Sequence, residues 1–224
     1  MGDVTDDPVD DPVEALCVRL HRGLRGEGPL AAADAAALGC ALLALGHRGP
    51  AVREAVERRP ADVPPAEAAD LAARLLAEAG FEPGFDLVPE RLETLRRALE
   101  PVLRDLPGAG GPGARLVVQD AWYPPSAGVV LADGWLHGGG LPVCAGGDPV
   151  TAVAAVAAHV QESLMERDRR ALPLCPDHGL GLHALRHSDA AVWWCTADGG
   201  HPAAAIGRLP RTGRNRDDRP GRRA

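Results

Sequence analysis

No lysine occurs in this 224-residue chain, so all 24 of its basic side chains are arginines. With alanine, glycine and proline abundant as well, that absence reflects GC-rich coding rather than chemistry. Aromatic residues make up only 3%, so a core must be assembled from Leu, Val and Ala, which favours close-packed helices. No run of about eighteen apolar residues occurs, which argues against a membrane span. The N-terminus has neither the basic nor the apolar region of a secretory signal. Five cysteines, an odd and scattered number, do not form a secreted disulfide framework. These absences predict a cytoplasmic protein with reduced thiols. The glycine runs lack a phosphate-loop Lys and any dinucleotide fingerprint, so nucleotide binding has no support.

The net charge of −7 argues against nucleic-acid binding by the chain as a whole. Its distribution is uneven. Asp3, Asp6, Asp7, Asp10, Asp11 and Glu14 crowd the start. Arg208, Arg211, Arg214, Arg216, Arg219, Arg222 and Arg223 crowd the end. Residues 1–11 and 210–224 are therefore expected to be disordered tails, one acidic and one basic.

Between the tails, the apolar spacing predicts helices over residues 12–25, 30–45, 51–58, 65–78 and 89–103. Leu38, Leu42 and Leu45 should share one face of the second, and Pro101 should kink the last or end it early. Cys17 and Cys40 fall within helices and read as buried structural thiols. His47 sits in a break between helices. Phe81 and Phe85 are placed to plug the end of a bundle. Residues 12–105 thus read as a helical domain, followed by a Gly/Pro linker at 106–114.

The texture then changes. Leu116, Val117 and Val118 suggest a strand, and Val129–Leu131 another. Asp133-Gly134 between short apolar runs predicts a two-residue hairpin turn. Asp148 as N-cap and Pro149 as first residue open a further helix. Its residues Val150, Val153, Ala157, Val160 and Leu164 should face the sheet, with His159, Glu162 and Glu166 on the opposite, solvent side. Residues 115–171 read as a small antiparallel sheet plus this helix. The fold class is α+β.

The most informative stretch comes last. Cys175 and His178 are separated by two residues, Pro176 and Asp177, with Gly179 after, as in a tight knuckle. Cys195 and His201 form a second pair across a loose loop. Residues 180–184 and 191–194 could be the arms of a hairpin joining them. Zinc takes four such ligands tetrahedrally, and two loops giving two each supply them economically. Two thiolates and two neutral imidazoles would leave the site uncharged, which favours burial.

The segment at about 172–209 resembles a zinc ribbon, whose knuckles read Cys-Pro-x-Cys-Gly. Here His178 replaces the second Cys, and a five-residue gap replaces the usual two in the second knuckle. The resemblance implies a structural Zn2+ site made of Cys175, His178, Cys195 and His201, with His183 or His187 as substitutes for His201. Trp122, Trp135, Trp193 and Trp194 are expected to bridge sheet, helix and ribbon, with Trp193 on the same strand face as Cys195. Ordinary buried thiols at Cys175 and Cys195 are the bland alternative.

The favoured function is non-enzymatic binding, most simply of another protein. A second possibility is nucleic-acid binding through the ribbon and the arginine tail. A third is a metal-dependent hydrolase in which His137, His159 and Glu162 converge. Cys144 beside His137 is a weaker nucleophile–base pair.

Overall fold

Among the described residues proline opens five α-helices, where its missing N–H removes no intrahelical bond and its φ already suits the helix. These are α1 (Pro12–Leu24), α3 (Pro50–Glu57), α4 (Pro65–Glu78), α5 (Pro89–Asp105) and α6 (Pro149–Asp168). The sixth, α2, spans Ala32–Ala44. The structure is a computed structural model that describes residues 11–109, 113–119, 125–136 and 139–210. Among those residues, two three-stranded antiparallel sheets follow most of the helices, which makes the fold α+β. The first sheet joins β1 (Arg115–Gln119), β2 (Ser126–Val130) and β3 (Leu141–Pro142). The second joins β4 (His183–His187), β5 (Ala190–Cys195) and β6 (His201–Ala205). The expected tails lie almost wholly outside the described residues, as does Trp122.

Two compact units divide between Leu87 and Val88. In the first, α1–α4 bury Leu16, Leu20, Leu38, Leu42, Val52, Leu71 and Leu75 in one cluster. Burying each leucine contributes roughly 1.5–3 kcal/mol. The start of α3 is capped from α4, because the Ala51 and Val52 N–H groups donate to the Glu78 carboxylate at 2.8 and 3.2 Å. Phe85 is buried and Phe81 packs on the cluster. Two expectations fail in α2. Cys40 is exposed, unlike buried Cys17, and Leu45 is 67% exposed. Ala35 and Gly39 take the buried face instead, because α2 is so rich in small apolar residues that spacing alone does not pick its inner stripe.

The second unit is organised around α5 and α6, which pack closely on one another. Helix α5 packs on α6, on β1 and on the turns beside them. Pro101 does not end α5, which runs four residues further to Asp105. The Asp133-Gly134 turn is a three-residue loop, not a two-residue one. The Leu131 N–H donates to the Trp135 carbonyl at 2.8 Å, and only Gly134 needs positive φ, at +87°.

Helix α6 opens as expected, the Asp148 carboxylate accepting from the Thr151 N–H at 2.8 Å. Its far face meets solvent at Glu162 and Glu166 as expected, but not at His159. His159 is 5% exposed, and its Nε2 accepts the Val129 N–H at 3.1 Å. Gln161 and Ser163 are buried too. Alanine and valine dominate α6, so it carries no polar stripe and is covered on most sides. Only Glu162, Met165 and Glu166 of its later turns stay exposed.

At the C-terminal end of α5, Asp105 collects three donors. Its Oδ2 accepts the indole N–H of fully buried Trp193 at 2.7 Å and the Gly207 N–H, and its Oδ1 accepts the Leu209 N–H at 3.0 Å. Trp193 therefore joins α5 to β5, while Trp135 is 40% exposed. Removing the carboxylate strands a buried indole N–H, a loss of about 2–4 kcal/mol for a charge-assisted acceptor with several donors. Asp105→Ala is expected to lower unfolding free energy by that amount in urea titrations. Asp105→Asn, which keeps one acceptor oxygen, should lose clearly less.

Candidate metal centre

The first loop of the cluster is held shut by its own backbone. The Cys175 N–H donates to the Leu180 carbonyl at 2.7 Å, and the Gly179 N–H returns to the Cys175 carbonyl at 2.8 Å. Gly179 adopts φ +67°, a left-handed conformation that strains any side chain, which explains glycine after His178. Outside this knuckle, the Leu182 N–H donates to the Pro173 carbonyl at 2.9 Å. Gln161 on α6 holds both flanks, its Nε2 donating to the Leu172 carbonyl at 2.7 Å and to the Leu182 carbonyl.

The second half depends on strand register. β5 pairs with β4 and with β6, and its Val192, Trp193 and Cys195 are buried. Trp193 pairs with Ala204, but Trp194 pairs with Pro202, so Ala203 is an extra residue on β6. This bulge sets His201 directly across from Cys195. Residues paired across antiparallel strands project to the same face. Unbroken register would have placed Pro202 there. The loop between them turns through positive φ at Asp198, Gly199 and Gly200. A Cβ on Gly200 would lie 2.7 Å from the Trp194 indole nitrogen, so only glycine fits against that ring.

The two halves bring Cys175, His178, Cys195 and His201 together, with one donor atom from each inside a 4.8 Å group. Cys175 Sγ lies 3.5 Å from His178 Nδ1 and 3.9 Å from His201 Nε2, and Cys195 Sγ lies 3.6 Å from His178 Nδ1. Sulfur at about 2.3 Å and nitrogen at about 2.0–2.1 Å from a common ion stand about 3.6 Å apart at the tetrahedral angle. The residues present therefore fit a tetrahedral S2N2 metal ion. Both sulfurs are buried, His201 is half-buried and His178 is exposed. The other nitrogen of His178 faces Asp198 Oδ2 at 3.4 Å, the carboxylate–histidine arrangement that orients a ligating imidazole.

The two thiols are not equivalent. Burial raises the Cys175 value, but the His178 and Asp177 backbone N–H groups and the His178 side chain outweigh it and pull it to about 6 from 9.0. The Ala197 N–H lowers that of Cys195, yet burial and the neighbouring Cys175 thiolate leave it raised. His178 is also raised, chiefly by its hydrogen bond to Cys175.

His183 and His187 do not reach the cluster. They pair opposite Trp194 and Ala190, on the β5 face that Cys195 does not share. His187 instead stacks on Trp194 with ring centroids 5.0 Å apart. His159 is buried and Glu162 exposed, so the two have different surroundings. Cys144 is exposed, and its suggested partner His137 lies outside the described residues. All five cysteines are free thiols. Among the described residues no helix is long and apolar enough to cross a membrane.

Sequence reading missed Asp105, Gln161 and Asp198. Asp105 and Gln161 are polar residues in helices whose partners lie 88 and 21 positions away, and spacing carries no signal for that. No protein-family model, curated protein or solved structure matches the chain.

The sign of the thiol shifts can be checked in metal-free protein. A depressed Cys175 value contributes stability above the ordinary thiol range, which is lost as pH falls through about 6. The raised Cys195 value acts oppositely, lending stability at low pH that fades as pH rises through its own titration. Ultraviolet thiolate absorbance should show one step near pH 6 that disappears in Cys175→Ser. A single step in the ordinary thiol range would contradict this.

Proposed function

We propose that Cys175, His178, Cys195 and His201 hold one structural zinc ion, and that residues 172–209 form a zinc-ribbon-like module of a non-enzymatic cytoplasmic binding protein. The supporting observation is the set of sulfur–nitrogen separations of 3.5, 3.6 and 3.9 Å among these side chains, close to the edges of a zinc tetrahedron. Two thiolates and two imidazoles match the borderline softness of zinc. Four protein donors complete a tetrahedron and leave no position for water or substrate, so coordination favours structure over catalysis.

The module has little core of its own. Leu182, Val192, Trp193 and Cys195 are buried, while Leu174 and Leu180 remain 45% and 48% exposed beside the knuckle. Coordination energy replaces missing hydrophobic burial in small metal modules. Exposed Leu180 offers an apolar contact for a protein partner. The runner-up, nucleic-acid binding, depends on the ribbon together with the arginine-rich end at 208–224, of which residues 211–224 lie outside the described residues.

Purified protein is expected to carry close to one zinc per chain by elemental analysis. Cys175→Ser and Cys195→Ser should each lose it, with a fall in melting temperature of about 10 °C or more. Wild type that purifies without metal, and whose melting temperature is changed neither by adding zinc nor by either substitution, would reject the site. For the non-enzymatic reading, zinc-loaded protein should turn over no ester, amide or phosphoester reporter. Turnover abolished by Cys195→Ser would overturn that reading.

A further inference from the structure

Beside the ribbon, the second unit contains a cavity of about 520 Å³. Its walls are Leu106, Leu164, Leu172, Pro173, Leu174 and Leu209, contributed by the end of α5, by α6, by the approach to the knuckle and by the chain after β6. Ligand sites of about 300–1,000 Å³ are typically apolar with a few placed polar groups. Here those groups are Arg104 and Arg170. Each makes one ion pair, to Glu100 at 3.8 Å and to Asp168 at 3.9 Å, too long for a direct hydrogen bond. Their guanidinium donors thus remain available to an anion. Asp105 also lines the cavity, but its oxygens already accept from Trp193, Gly207 and Leu209.

We propose that this cavity binds a small organic anion, an apolar body against the leucines with its carboxylate held by Arg104 and Arg170. Arginine suits that head group because its planar fork meets both carboxylate oxygens. Filling the cavity should exclude the ligand, and Gly108 allows this. A Cβ there would meet only Leu164 Cδ2, at 3.8 Å, an ordinary contact.

The test uses full-length protein and decanoate, with decanol as the uncharged control, in titration calorimetry. Saturable one-to-one binding of decanoate is expected, with decanol weaker. Combined Arg104→Gln and Arg170→Gln should raise the dissociation constant about tenfold or more. Gly108→Leu should abolish binding while melting as wild type does. Because both arginines are more than half exposed, the double variant keeps its fold and the comparison holds even if Gly108→Leu does not fold. No saturable binding, equal affinity for decanol, or an unchanged constant in the double variant would each overturn the proposal. Neither arginine nor Gly108 belongs to the Cys/His cluster, so this outcome is independent of whether zinc is bound.

Discussion

Two polar side chains hold the C-terminal module in place, half-buried Asp105 at the end of α5 and buried Gln161 on α6. Asp105 binds the Trp193 indole, and Cys195 follows two residues later on the same face of β5. The same carboxylate takes the Gly207 and Leu209 N–H groups just beyond β6, the strand that His201 begins. Gln161 grips Leu172 and Leu182, which bracket the Cys175 knuckle. Each half of the four-residue cluster is thus tied to a different helix. Because α5 and α6 pack on one another, the halves share a common frame.

Such anchoring suits a metal site. Four donors within a few ångströms include two thiols that become like charges when ionised, and nothing in a hydrophobic core would bring them together. The Cys175–Cys195 pair shows the tension, one thiol pulled down and its neighbour pushed up. A divalent cation removes that conflict by accepting both thiolates. The cluster is coherent chemistry with an ion and an uneasy one without.

Legibility in the sequence followed the range of the forces involved. Helix starts were readable because Asp148, Pro149 and the other first-turn prolines act within one turn. The knuckle was readable for the same reason, since Cys175, Pro176, His178 and Gly179 form one local turn. His201 was the weakest member, and the structure shows why. Its position opposite Cys195 depends on the bulge at Ala203, in a run of small residues that does not announce a register shift. His159 was misplaced because polar residues are assigned to solvent by default. Its imidazole satisfies the Val129 N–H inside the unit, a pairing that no periodicity encodes. The break between units shows the same limit. Gly and Pro at 106–114 are a local signal, whereas the packing of α5 on α6 is a contact between distant residues that no local signal reports.

The cavity and the cluster share more than proximity. Pro173 and Leu174 form part of the cavity wall, and Cys175 is the next residue in the chain. Leu209, on another wall, is held by the same Asp105 that secures Trp193 and, through it, Cys195. The backbone bonds that close the knuckle, Leu182 to Pro173 and Cys175 to Leu180, therefore also set the position of that wall.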